Sequence, residues 1–210
     1  LAFPIKTSPA VVAKLWSDTL SSMVQWVDYM PPDETATMYS ISADSAYKQM
    51  LQVSDNFVAE QLILLCSWKL LGELNSAKLI EIASDSLLGD LPQPPIWIDG
   101  SGLSRYNLFT PHSTVKLLEK INQEVSEERI FDLFPAGGRS GTIENYYKSN
   151  PPYIYAKTGT LRNNHTLSGY LITKSGKRLI FSFMHNHYAG ASLPIKIEME
   201  KLLWQIHLKY

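Results

Sequence analysis

Cysteine is nearly absent from this chain: Cys66 stands alone among 210 residues, so neither an intrachain disulfide nor a cysteine-based zinc cluster can form. Set in the run Leu62-Ile63-Leu64-Leu65, it reads as a buried structural thiol. Excess charge is absent too. Nineteen basic and 20 acidic residues leave a net charge of -1, and no run of like charge stands out. Nothing here favours nucleic acid or an anionic membrane as partner. No apolar stretch reaches the ~18 residues of a membrane span, so no transmembrane segment is expected. Internal repeats and low-complexity tracts are lacking. The chain begins at Leu1 rather than Met and has no basic-then-apolar leader, as expected of a processed or excised polypeptide.

What is present is an ordinary globular balance, 45% hydrophobic and 19% charged. The length suits one large domain with a sizeable core. Apolar spacing predicts a helix over 11–27, with Pro9 at its start and Pro31-Pro32-Asp33 opening a loop after it. A second helix begins after Ser42 or Asp44 and runs to about Leu51. Ser54-Asp55-Asn56 interrupts it and can cap a third helix, Phe57 to Leu71, closed by Gly72. That helix is apolar almost all round, which predicts deep burial. Further helices are expected over 77–87 and 111–125, and a short strand at Ile96-Trp97-Ile98. Tyr153–Thr160, Thr166–Thr173 and Arg178–Met184 read as three strands, the last two joined by the turn Lys174-Ser175-Gly176-Lys177. A terminal helix starts at Pro194 and presents Ile195, Met199, Leu202, Leu203 and Ile206 on one face. Trp16, Trp26, Trp68 and Trp204 fall on helices as packing residues. The order of elements gives an α+β or mixed α/β fold in two layers, with an antiparallel sheet flanked by helices.

Two short segments carry chemistry. Lys157-Thr158-Gly159-Thr160 continues an apolar strand. Its lysine supplies fixed positive charge, its threonines supply hydroxyl donors, and Gly159 lets a ligand approach the main chain. Such a strip can bind a peptide-like carboxylate and lend a backbone N–H to an oxyanion. Lys-Thr-Gly arises by chance about 0.04 times in such a composition, so the match has some specificity. Ser54-Asp55-Asn56 by itself reads as a helix cap, because Ser-x-Asn is expected about 0.9 times at random. Beside the lysine strip it gains meaning. A serine hydroxyl near a lysine can shuttle a proton, and an asparagine amide can hold a substrate amide. The pair, in this order, is two thirds of the signature of active-serine acyl transferases.

With these residues the chain resembles the penicillin-binding proteins of the D-alanyl-D-alanine carboxypeptidase and endopeptidase type, the low-molecular-mass class C group (peptidase family S13). Similar in order over 35–187 are Ser54 to Gln61, Asp99 to Arg105, Phe134 to Ile143, Lys157 to Leu161, and the strand segments Leu167 to Tyr170 and Phe181 to Asn186. In that family the nucleophile lies in a Ser-x-x-Lys motif at a buried helix start, well upstream of Ser-x-Asn. Ser45-Ala46-Tyr47-Lys48 and Ser113-Thr114-Val115-Lys116 have that spacing, but about 1.5 such matches are expected at random. Ser45 lies only nine residues before Ser54, and Ser113 follows it in the wrong order. Both are set aside. The resemblance therefore implies an incomplete penicillin-binding/β-lactamase-like transpeptidase domain, with the meander at 153–184 and the terminal helix at 194–208. The nucleophile and early strands would belong to a preceding part of the same protein, leaving an apolar layer open here.

The roles the resemblance implies are specific. The absent serine attacks D-Ala-D-Ala with its own lysine as base. Ser54 relays the proton, Asn56 holds the acyl-side amide, and Lys157 sets the field. The Thr158 and Thr160 hydroxyls, with Gly159 between them, bind the terminal carboxylate. The Thr160 N–H forms half of the oxyanion hole. The partners implied are the peptidoglycan stem peptide, β-lactams and the preceding part of the protein. No cofactor or metal is required, and the substrate implies the periplasm or cell envelope. Two alternatives stand beside this reading: a catalytically inactive cell-wall peptide-binding module and a serine β-lactamase. His185, Asn186 and His187 lack an apparent third ligand and read as structural or solvated rather than zinc-binding. His112 reads as a helix-start residue. Asp99-Gly100-Ser101-Gly102 lacks the Lys-Ser/Thr of a phosphate loop.

Overall fold

A computed structural model describes residues 8–28 and 41–210, which fall into two compact units, Leu1–Ser40 and Ile41–Tyr210. In the first unit, helix α1 spans Pro9–Leu20, with Pro9 in its first turn and the Ser8 hydroxyl accepting from the Val11 N–H. It stops short of the expected Val27. Ser21 takes a left-handed conformation, φ 50°, and the Ser17 hydroxyl captures both the N–H and the carbonyl of Val24, so the chain turns back. Trp26 therefore lies beyond the helix, and both it and Trp16 are exposed rather than packed. The Pro31-Pro32-Asp33 loop lies outside the described residues.

The second unit begins with α2 (Ala43–Gln52), capped by Ser42, and α3 (Asn56–Leu71), capped by Asp55 and closed by Gly72 at φ 72°. Asn75 caps α4 (Ser76–Leu87), and Thr110 caps α5 (Pro111–Glu124). Composition did not announce α6 (Glu127–Leu133), a seven-residue helix whose Ile130 and Leu133 are buried. The expected strand at residues 96–98 reduces to one bridge, Ile96 to Leu108. Asp99 explains why: its carboxylate accepts the N–H groups of Gly102 and Ser104 and the Asn107 amide, curling the chain into a loop.

Strands β1 (Ile154–Leu161), β2 (Asn164–Ile172) and β3 (Arg178–Asn186) form an antiparallel meander in the order β1-β2-β3. Strand alternation sorts their side chains. On one face Ile154, Ala156, Leu167 and Leu171 pack on Met199 and Leu203 of α7 (Leu193–Lys209). On the other face Tyr170 packs with Leu118 of α5 and with Ile130 and Leu133 of α6, and its hydroxyl donates to the Leu118 carbonyl at 2.8 Å. Phe131 stacks on Tyr155 with ring centroids 3.9 Å apart. The arrangement is thus three layers, helix–sheet–helix, rather than the two expected. Glycine is needed where β1 and β2 approach: a Cβ on Gly169 would lie 2.2 Å from the Tyr155 carbonyl oxygen.

Helix α3 overturns its expectation. Only Ser67 is buried; Phe57, Leu65, Trp68 and Leu70 are mostly exposed, and so is Cys66. The Ser67 hydroxyl fastens the stripe facing α4, accepting from the Asn75 N–H and donating to the Glu73 carbonyl. The rest of the helix has more apolar perimeter than α2 and α4 can cover. Trp204 of α7 does pack, edge to face against Tyr153. No helix among the described residues is long and apolar enough to cross a membrane.

Candidate active site

The site forms where the α2–α3 junction meets the outer edge of β1. Ser54 is caught between two helices: Val53 closes α2, Asp55 caps α3, and the Asp55 N–H returns to the Met50 carbonyl. So tight a junction forces Ser54 to φ 59°. A non-glycine residue there carries a cost of about 1–2 kcal/mol, the kind of strain found at working positions. It is exposed, and its Oγ accepts from the Lys157 Nζ at 2.7 Å across 103 residues of sequence. Lys157 also donates to the Thr158 carbonyl at 2.7 Å. Among the described residues no carboxylate offsets its charge, and burial pulls its pKa down from 10.5 to about 8. Asn56 opens α3 two residues later, exposed, with no side-chain hydrogen bond among the described residues.

Backbone alternation defines what the edge of β1 can offer. The loop before the strand occupies its first part: Gly137 N–H donates to the Ile154 carbonyl at 2.9 Å, and Ala156 N–H to the Pro135 carbonyl at 3.0 Å. Even-numbered residues of β1 therefore turn their N–H and carbonyl away from β2. Thr158 and Thr160 continue that series beyond the loop. The Thr160 N–H has no acceptor among the described residues. It is a donor held on a rigid strand edge, close in sequence to the Ser54–Lys157 pair.

The threonine side chains lie on the opposite face from Lys157. Thr158 Oγ1 donates to Thr142 Oγ1 at 2.8 Å, and Thr160 Oγ1 shares a hydrogen bond of 2.8 Å with His165 Nδ1, its direct partner across the β1–β2 pair. Gly159 is exposed between them, where a Cβ would meet Thr166 Oγ1 at 2.6 Å. Three participants escaped the sequence reading. Thr142 lay inside the glycine-rich segment. His165 could have been found by pairing residues back across the turn that follows Leu161. Gln52 gave no signal: its amide donates to the carbonyls of Leu133 and Phe134, tying the end of α2 to the chain that runs into the glycine loop. Gly141, at φ 66°, leaves room for it, since a Cβ would lie 2.6 Å from the Gln52 Oε1.

The two Ser-x-x-Lys matches behave as ordinary helix residues. Ser45 hydrogen-bonds Ser42 in the first turn of α2, while Lys48 pairs with Asp132. Ser113 is fully buried on the Gln93 backbone, and Lys116 pairs with Glu119. His185 is exposed and stacks on Phe183, and His112 sits exposed in the first turn of α5. Among the described residues no three His, Cys, Asp or Glu side chains converge as a metal site would require.

Residues 28–206 match the model of the D-Ala-D-Ala carboxypeptidase 3 (S13) family. The D-alanyl-D-alanine carboxypeptidase DacB of Haemophilus influenzae is 30% identical over 176 residues, covering 78% of this chain and 37% of that protein. The crystal structure of penicillin binding protein 4 (dacB) from Haemophilus influenzae superposes with a TM-score of 0.70 at 27% identity, covering 79% of this chain and 40% of that one. The same protein complexed with a novel β-lactam gives 0.70 at 28% identity, covering 79% and 41%. The chain spans about two fifths of the length of these relatives.

Proposed function

The chain belongs to the D-Ala-D-Ala carboxypeptidase 3 (S13) family, and from that premise we propose that it forms one wall of a serine-type D-alanyl-D-alanine carboxypeptidase/endopeptidase acting on peptidoglycan. The observation that carries this reading is the 2.7 Å contact between Lys157 and Ser54. It couples a half-buried ammonium that has no counter-ion among the described residues to a strained, exposed hydroxyl beside a strand edge. That combination suits acyl transfer on a substrate ending in a carboxylate. It requires no metal.

The nucleophilic serine is supplied by a part of the protein outside these 210 residues. Its Oγ attacks the penultimate D-Ala carbonyl, forming a C–O bond and passing its proton to its own motif lysine. The oxyanion is held by the Thr160 N–H and by the serine's own N–H; losing one such donor costs about 3–4 kcal/mol of barrier. Collapse breaks the C–N bond, and Ser54 hands the proton to the leaving amine while drawing on Lys157. Asn56 holds the acyl-side amide in register. Thr160, and Thr158 once its hydrogen turns from Thr142 toward the substrate, receive the terminal carboxylate across Gly159, in the positive field of Lys157. Water then cleaves the ester. A β-lactam carries a carboxylate and a strained amide in the same relation, so it acylates the same serine. Peptidoglycan lies outside the cytoplasmic membrane, which places the protein in the cell envelope, as periplasmic.

The test is covalent labelling. The full-length gene product should form a stable adduct with a labelled penicillin, whereas the 210-residue chain alone should not. Folded full-length protein that takes no label would overturn the reading in favour of an inactive peptide-binding module.

A further inference from the structure

His165 is a buried titratable side chain that the roles above leave unused. It is only 2% exposed, although it stands one turn from the exposed end of β1. Its Nδ1 meets Thr160 Oγ1 at 2.8 Å, and that threonine also lines an open depression with Arg162, Tyr188 and Ser192. Burial, reinforced by Lys196 and His185, lowers the imidazole pKa to about 4, so the ring is neutral at pH 7.

A neutral imidazole carries one proton, and its position decides what Thr160 can do. If Nδ1 were bare, Thr160 would donate its only hydrogen inward. It would then show a substrate nothing but lone pairs, which repel a carboxylate. If Nδ1 carries the proton, Thr160 accepts from His165 and keeps its own hydrogen for the substrate. The surroundings of the other nitrogen select between these states. Nε2 finds no hydrogen-bond acceptor among the described residues. A proton there would have no protein acceptor, whereas one on Nδ1 is held by Thr160 Oγ1 at 2.8 Å.

Resting on the carboxypeptidase reading, we propose that His165 is a positioning residue: its Nδ1–H donates to Thr160 and thereby fixes the Thr160 hydroxyl as a donor to the terminal carboxylate of the substrate. Its influence falls on carboxylate recognition rather than on the acyl chemistry.

The experiment compares a diacylated D-Ala-D-Ala peptide with its C-terminal amide on full-length protein. His165→Phe keeps the ring's bulk and removes the N–H. It should lower kcat/KM for the free acid roughly tenfold, mainly through KM, as expected for one charge-assisted hydrogen bond. The slower turnover of the amide should hardly change. His165→Asn, whose amide nitrogen can stand near the Nδ1 position, should stay within about threefold of wild type. An unchanged acid-to-amide ratio in His165→Phe overturns the role, as does an equal loss on both substrates. If the variant does not fold, the ¹⁵N shifts of His165 in the wild-type protein decide: a protonated Nδ1 and bare Nε2 support the role, the reverse overturns it. No penicillin adduct in folded wild type would instead overturn the carboxypeptidase reading itself, and this role with it.

Discussion

A lysine that loses water without gaining a carboxylate is driven toward its neutral form, and Lys157 is held at about 8 by burial alone. Its ammonium donates to Ser54 and to the Thr158 carbonyl, both uncharged, so the positive field is left for an incoming anion. Below pH 8 the side chain is charged and the field is on. Above it the proton leaves and the pull on a carboxylate fades. Acylation of the full-length protein by penicillin should therefore decline as pH rises through about 8. Lys157→Met should lose about 100-fold, the scale of one preorganised electrostatic contact, and its profile should lack that alkaline limb. A Lys157→Met profile with the same limb would assign the titration to another group.

At the scale of elements, the site depends on how the α2 terminus is tied to the β1 edge. Gln52 donates to two carbonyls of the segment that leads into the glycine loop, and that loop hydrogen-bonds Ile154 and Ala156 of β1. Ser54 and Lys157 lie at the two ends of this chain of contacts. Gln52→Leu leaves the Leu133 and Phe134 carbonyls without their donor, at a cost of about 1–3 kcal/mol, and releases Ser54 from its position. Its penicillin acylation should fall more than its stability does, a split read by comparing labelling rate with thermal midpoint. The sequence disclosed this region unevenly. The strands, the Ser42 and Asp55 caps and the Gly72 stop were legible because each is local chemistry over a few residues. The end of α1 was not, because a hydroxyl seven residues before Val24 decides it. Nor was the exposure of α3, since an apolar helix announces that it needs partners but not whether they lie in the same chain. Lys157 and Ser54 could be suspected as a pair from motif order, whereas the Thr160–His165 contact needed the strand register.

Across the whole molecule, the buried bases and buried phenols make stability depend on pH in opposite directions. His165 titrates near 4 when folded and near 6.5 when unfolded, because burial, Lys196 and His185 all disfavour its charge. Between those values the unfolded chain binds more protons, so stability is complete above 6.5 and is lost as pH falls toward 4. Lys157 acts likewise between about 8 and 10.5. Stability should climb through that window too. Tyr147, Tyr153 and Tyr170 oppose it. Burial raises all three phenols, Tyr170 to about 12, so the unfolded chain releases protons first once pH passes 10, and stability falls. Three phenols outweigh one ammonium there. The thermal midpoint of the full-length protein should therefore rise from pH 4 to 6.5, rise again above 8, and turn down beyond 10. His165→Phe should flatten the acid step and leave the alkaline turn in place, because the tyrosines lie elsewhere in the core. An acid step that survives this substitution would mean that carboxylates, among them Asp44 and Asp90 held low by Arg129 and Lys120, dominate the acid limb instead.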